Sequence, residues 1–152
     1  MLLLSFNMGK ERYVIETRNI VEIVPRVHLK RIPGAGESIP GMLNYHGQAI
    51  PVIDISMLCH GTAAEDTLTS RIILVNYTDN RILGLLAEKV TETFFIEESE
   101  FESSGIQIND FEFLGDLAEH KNGLVQLINV DQLLSGDIQA MLFTDNSGQA
   151  AV

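Results

Sequence analysis

A chain of 152 residues and 16.8 kDa fits one domain, or two tightly fused small subdomains. Its 45% hydrophobic content and mean hydropathy of +0.14 exclude an intrinsically disordered chain, which lacks the apolar surface needed to offset chain entropy. A formal net charge of −11 repels phosphate backbones, so nucleic acid and anionic lipid are disfavoured partners and the charge reads first as a solubility device. Cys59 is the single cysteine, which rules out an intramolecular disulfide and fits a reducing compartment. The opening Met1-Leu2-Leu3-Leu4-Ser5-Phe6-Asn7 has neither a basic n-region nor a long apolar h-region, and no apolar run approaches the ~20 residues that span a bilayer. A cytoplasmic location without membrane insertion is the expectation.

Period-two patterns dominate the chain. Leu2, Leu4, Phe6 and Met8 would share one face of a first strand. Gly9-Lys10 reads as a turn and Arg12 to Ile15 as the return strand. Ile20 to Val24 forms a third strand ended by Pro25, which cannot donate to a ladder. A loop rich in Gly and Pro leads to strands at Met42–Tyr45 and Ala49–Asp54, and Pro51 within the latter argues for an edge strand or a bulge. After a polar connection, Arg71 to Tyr77 is apolar enough to be buried on both faces. Asp79-Asn80 reads as a turn, followed by separate strands at Ile82–Leu86 and Val90–Ile96. Glu97 to Glu102 reads as a solvated acidic loop, and Phe113–Ala118 and Leu124–Asn129 as the last strands. Helix is expected at the end, from Val130 to Leu134 and from Asp137 to Leu142, with a frayed tail over 144–152.

The chain also repeats itself. Phe6-Asn7-Met8 followed by Arg12-Tyr13-Val14 matches Val75-Asn76-Tyr77 followed by Arg81-Ile82-Leu83 at the same spacing. Pro51 to Ser56 likewise parallels Gln126 to Asp131. Each half, roughly 1–68 and 69–143, reads as a hairpin, a third strand, a loop, two more strands and a short helical turn. Two repeats of five short strands imply two small barrels, since closing a sheet removes its exposed edges. Each alone would bury little core, so the two should pack intimately as one all-β domain over 1–143, with chain ends free to cross over.

No reacting groups stand at workable spacings. Gly34-Ala35-Gly36 lacks the Gly-Lys-Ser/Thr ending of a phosphate loop and reads as a turn. Cys59-His60 would point to opposite faces of an extended chain, so a thiol with its base is disfavoured against an inert, partly buried cysteine. His28, His46, His60 and His120 share no metal-ligand spacing, and Glu97, Glu98, Glu100 and Glu102 lack the alternating ligands of a calcium loop. Neither an enzyme nor a metal or cofactor site is expected.

Ile39-Pro40-Gly41-Met42-Leu43-Asn44-Tyr45-His46-Gly47, continued by Gln48-Ala49-Ile50-Pro51-Val52-Ile53-Asp54-Ile55, resembles the signature of the CheW chemotaxis coupling family, Gly-x-x-Asn-Leu-Arg-Gly-x-x-x-Pro-x-x-Asp-Leu. Ile20-Val21-Glu22-Ile23 is similar to its Val-x-Glu-Ile strand, Gly84 to Val90 to its Gly-x-x-Val-Asp-x-Val segment, and Gly123 to Leu134 to its closing strand and Leu-Leu helix. The resemblance covers nearly the whole chain, Leu3 to Leu142, in the family's order.

The resemblance implies two tandem SH3-like five-stranded barrels with a short C-terminal helix. It also implies an adaptor recruited to membrane-bound receptor arrays. There it would couple the cytoplasmic tip of methyl-accepting receptors to the regulatory domain of a CheA-type histidine kinase. Receptor-facing or supporting positions would fall on Ile20, Glu22, Gly41, Asn44 and His46. For Ile20 a plain strand residue, and for Gly41 a turn, are the competing readings. The family's Arg in Asn-x-Arg-Gly is His46 here; that Arg pairs with the Glu matched by Glu22, so the ion pair would become a plain hydrogen bond or disappear. Glu88 replaces the Asp of the Val-Asp segment and Asn129 a late Asp, which implies a divergent adaptor with its own receptor and kinase. The reading from another class is a small β-barrel that binds a ligand or acts as a sensor.

Overall fold

The computed structural model describes residues 1–106, 108 and 111–143. The tail expected to fray, 144–152, lies outside the described residues. In chain order the elements are β1 (Leu2–Met8), β2 (Glu11–Glu16), β3 (Ile20–Pro25), β4 (Gly41–Tyr45), β5 (Gln48–Asp54), α1 (Ile55–His60) and β6 (Arg71–Asn76). There follow β7 (Ile82–Phe95), β8 (Leu114–His120), β9 (Gly123–Ile128) and α2 (Gly136–Leu142).

The strands form two five-stranded barrels that exchange strands between the sequence repeats. One barrel runs β8–β9–β2–β1 and the second half of β7; the other runs β3–β6, the first half of β7, then β5–β4. The hairpin β1–β2 thus joins β8 and β9 from the far end of the chain, while β3, β4 and β5 join β6. Each barrel contains one parallel pair in equivalent positions, Val52 opposite Gly84 in one and Val14 opposite Leu127 in the other. Each is closed by an isolated bridge from the segment after its third strand. Lys30 and Met42 exchange two backbone hydrogen bonds of 2.9 and 2.7 Å, and Glu102 and Leu117 exchange two of 2.8 Å. The sequence halves and the barrels therefore do not coincide.

Strand exchange explains why β1 and β6 are apolar on both faces. On β6, Ile72 and Leu74 fill the interior of their own barrel, whereas Ile73 and Val75 point into a core shared by both. On β1, Leu3 packs inside its barrel with Val14, Ile96, Ala118 and Val125, while Leu4, Phe6 and Met8 join the shared core. The expectation of a single buried face on β1 is corrected accordingly, and Leu2, assigned to that face, is 52% exposed. Fully burying side chains of this size contributes about 1.5–3 kcal/mol each, so the shared core is what fastens the barrels together.

Other expectations change for local reasons. Strands Ile82–Leu86 and Val90–Ile96 are one continuous β7, bent at Lys89 (φ 50°), and its two halves pair in different barrels. In the first repeat the equivalent connection is a 3-10 turn at Thr17–Asn19. Pro51 does not mark an edge, because β5 is flanked by β4 and β7. Met42, opposite Pro51, spends its N–H and C=O on Lys30, so the proline nitrogen faces β7, whose pairing starts only at Val52. Ile55–His60 is helical: the buried Asp54 carboxylate caps it by accepting from the Met57 N–H at 3.1 Å and also from the Ala64 N–H at 2.9 Å. The acidic segment is exposed but ordered, a 3-10 turn at Glu98–Glu100 closed by a reciprocal Glu97–Glu100 capping box. Val130–Gln132 is a single 3-10 turn, after which the Ser135 hydroxyl caps α2.

Because neither half contains a whole barrel, fragments 1–68 and 69–152 should each lack a cooperative thermal transition alone and regain one when mixed; circular dichroism reads this directly. Independent folding of either fragment would contradict the exchange.

Candidate functional site

Three of the five candidate residues, Glu22, Asn44 and His46, gather where the edge strand β3 meets the β4–β5 hairpin. That hairpin turns through His46 (φ 51°) and Gly47 (φ 82°), a two-residue connection with both φ angles positive that matches the twist of the flanking strands. The Asn44 side-chain oxygen accepts from the Gly47 N–H at 3.0 Å and so fixes the turn. Tyr45, immediately before it, donates its hydroxyl hydrogen bond to Glu22 Oε1 across to β3 at 2.7 Å. The His46 ring lies edge-on to Tyr45 with centroids 4.4 Å apart. Glu22, Asn44 and His46 are exposed, and all three belong to this tip.

Ile20 and Gly41 have other duties. Ile20 is half-buried and packs against the shared core. Gly41 is buried, with φ 155°; a Cβ there would stand 2.5 Å from the Lys30 carbonyl oxygen and 2.9 Å from Leu29 Cβ. A glycine is what lets the Lys30 segment approach β4 and close the barrel. Its place in the site is support, because it carries the hairpin's base.

Sequence reasoning missed Tyr45, Val21 and Ile23. Val21 and Ile23 flank Glu22 on β3 and are 39% and 40% exposed, with Val27 beyond them at 47%. Their alternation was legible as a strand, but its outer face is set by which strand β3 pairs with, which is β6 from the other repeat. Tyr45 holds Glu22 only because closure brings β4 beside β3.

The repeat supplies a counterpart in the other barrel. In the repeat Phe6 corresponds to Val75, so Ser5 corresponds to Leu74; Leu74 pairs with Glu22 and Ser5 pairs with Glu92. The β8–β9 hairpin likewise turns through Lys121 (φ 52°) and Asn122 (φ 60°), which places Lys121 where His46 stands. Lys121 Nζ pairs with Glu92 at 3.0 Å and holds its carboxyl below the usual carboxylate range. Next to it, burial and the nearby Arg12 and Lys121 charges push the His120 imidazole below its ordinary value, with the ring stacked on Phe94 at 3.7 Å. Among the described residues the ion pairs are Lys121–Glu92 and Arg18–Glu16, and none reaches Glu22.

The Cys59–His60 pair is not a prepared nucleophile. Cys59 and His60 sit on α1, not on an extended chain, and burial pushes the Cys59 thiol up to about 12, which leaves it protonated and inert. The His60 ring stands 3.4 Å from the Tyr13 hydroxyl. Among the described residues no group of three His, Cys, Asp or Glu is placed to hold a metal ion, and no helix is long and apolar enough to cross a membrane. A groove of about 470 Å³, lined by Leu58, Phe111, Leu133 and Ile138, runs between α1 and α2. None of the five sequence-selected residues lines it.

The Tyr45–Glu22 bond has a pH signature. Donation to the carboxylate is the main reason the Tyr45 phenol titrates above its ordinary value, with desolvation second. A raised folded-state value means that this stabilisation is fully present below the ordinary tyrosine pKa of ~10 and is lost as pH rises through the folded value. Glu22→Gln should move the Tyr45 titration back toward its ordinary value, as followed by tyrosinate absorbance or ring NMR shifts. An unmoved titration would break the assignment.

A family model described as the CheW-like domain matches residues 2–137. The chain is 24% identical over 135 residues to "Chemotaxis protein CheW" of Helicobacter pylori, covering 88% of this chain and 81% of that relative. It is 25% identical over 134 residues to the protein of the same name in Bacillus subtilis, covering 87% and 85%. In fold it is similar to the scaffolding protein TtCheW from Thermoanaerobacter tengcongensis, with a TM-score of 0.79 at 24% identity over 88% of this chain and 87% of that one. With the match running through both exchanged barrels and the β3–hairpin tip, the chain belongs to the CheW-like domain family.

Proposed function

We propose that the chain is a chemosensory coupling adaptor, acting by scaffolding and not by catalysis. It joins the cytoplasmic tip of methyl-accepting receptors to the regulatory domain of a CheA-type histidine kinase within membrane-bound receptor arrays. The observation that carries this reading is the CheW-like match over residues 2–137, which takes in both barrels together. The relatives are chemotaxis proteins by name, which favours coupling over a ligand-binding barrel.

The geometry supports a passive clamp. Two barrels fastened by one shared core and one continuous β7 form a rigid body. A rigid body that holds two partners fixes their mutual geometry, and differential binding to partner states then couples them. The receptor-facing surface is assigned to Glu22, Asn44 and His46 at the hairpin tip, extended by Val21 and Ile23, with Gly41 supporting it from below and Ile20 from the core side. Exposed β-branched residues on an edge strand, next to a turn with fixed polar groups, supply apolar contact area with a polar rim. The departures at His46, Glu88 and Asn129 fit an adaptor serving its own receptor and kinase.

Val21→Asp should weaken pull-down of the cytoplasmic domain of a methyl-accepting receptor from the same genome by about tenfold or more, with an unchanged melting temperature. Val21 is preferred to Ile20 for this test, since an aspartate at Ile20 would disturb the core as well. Binding of the kinase regulatory domain, measured in parallel, reports the second half of the coupling. Failure to bind either protein would sink the reading.

A further inference from the structure

The duplication makes the two helical segments counterparts, since each follows the last strand of its half, and they are fastened differently. Asp54, ahead of α1, corresponds in the repeat to Asn129. The buried Asp54 carboxylate holds both the start of α1 and the Ala64 backbone, Ile55 and Ser56 are buried, and the Gly61 N–H closes the far end on the Met57 carbonyl at 3.0 Å. The Asn129 side chain caps nothing, and what it opens is the 3-10 turn Val130–Gln132. Leu133 and Leu134 are buried, but Ser135, Gly136 and Asp137 after them are exposed, and no residue of α2 is fully buried.

The firm attachment of α2 is at its other end. The Phe143 carbonyl accepts from Arg81 Nη1 at 3.2 Å, the Arg81 guanidinium lies 5.0 Å from the centroid of the Phe143 ring, and the Tyr77 ring stacks on that ring with centroids 5.7 Å apart. Tyr77 and Arg81 flank the turn from β6 to β7 in the barrel of β3, whereas the chain enters α2 from β9 in the other barrel. The helix therefore crosses the junction as a strap, with Ile138, Leu142 and Phe143 half-buried against the shared core. Its seven residues are too few to stay helical in water without that support. At its start the Ser135 hydroxyl accepts from the Ile138 N–H at 3.3 Å, on the surface. A Cβ built on Gly136 would meet nothing within 4 Å, so the backbone there has room to turn.

We infer that α2 is a hinged strap, which opens as a unit about Ser135–Gly136 while both barrels stay folded, and which Tyr77 and Arg81 latch shut through Phe143. The contacts that must break are few and partly exposed, whereas loss of the shared core unfolds both barrels; opening of the strap therefore lies well below global unfolding. The groove between the helices has one fixed wall, Leu58 on the doubly anchored α1, and one movable wall, Ile138 on the strap. Opening widens this groove, which Phe111 and Leu133 also line, and bares the core surface on which Ile138, Leu142 and Phe143 pack. The device is independent of the docking face assigned to β3.

Native-state hydrogen exchange on the full chain, read residue by residue in low denaturant, tests this. Amides from Gln139 to Phe143 should share one opening free energy that low denaturant leaves unchanged, and exchange about a hundredfold or more faster than those of β1 and β6. Phe143→Ala and Arg81→Gln should speed the α2 amides by about fivefold or more and leave β1 and β6 within about twofold of the parent. Gly136→Ala, which stiffens the hinge, should slow the same amides by about threefold. Phe143→Ala should also raise the fluorescence of added anilinonaphthalene sulfonate, a dye that reports bared apolar surface. Rates that climb steadily toward Phe143 would mean fraying from the end and would overturn the hinge. Exchange of α2 that follows β1 and β6 through denaturant, or latch variants that speed every amide alike, would make the helix part of the global unit and overturn the strap. A dye signal equal to the parent's would overturn the movable wall of the groove.

Discussion

The shared core is the constraint on which the rest of the molecule depends. Phe6, Met8 and Ile15 from the first hairpin meet Ile73, Val75, Leu83 and Leu85 from the second, with Ile53, Phe113 and Ile128 packed against them. The cluster draws on both repeats. A small barrel of about sixty residues has too little interior to offset its chain entropy, and neighbouring barrels remedy this by facing one apolar side of β1 and β6 toward each other. Strand exchange follows as a geometric solution, because the strand with two apolar faces must sit where both are covered.

That arrangement also determines what is left outside. Since β1 and β6 are central, β3 becomes the edge of its barrel, and its outward residues meet solvent. Closure by the Lys30–Met42 bridge brings β4 alongside, which is what lets Tyr45 reach Glu22. The buried Gly41 belongs to the same chain of causes: without the space its missing Cβ leaves, the bridge would not form. A candidate surface of exposed side chains is thus traceable, step by step, to a packing requirement in the interior.

Much of this was legible in the sequence. Alternating apolar residues located nearly every strand, and the matched segments around Phe6 and Val75 disclosed the duplication. The misses share a physical origin, in that they turn on pairing between distant segments. Ile82–Leu86 and Val90–Ile96 read as separate strands, yet β7 runs through both because each side of the bend finds a different barrel. Pro51 reads as an edge marker until the Met42 hydrogen bonds are seen to go elsewhere. The repeat placed a short helical turn at the end of the first half, but Ile55–His60 is shorter than two turns, too brief for a period to fix its bounds. Glu22 and His46 were found from the motif, but the hydroxyl that replaces their ion pair comes from Tyr45, whose reach depends on closure.

The unbroken course of β7 has a mechanical corollary. Most fused modules are hinged by a linker, and their angle wanders; here a single extended strand is a structural member of both, so the backbone itself acts as a protractor. Its vertex is Lys89, a solvent-exposed side chain on a left-handed backbone. The inter-barrel angle is therefore held twice, by the bend at this residue and by the shared core, and neither changes without the other.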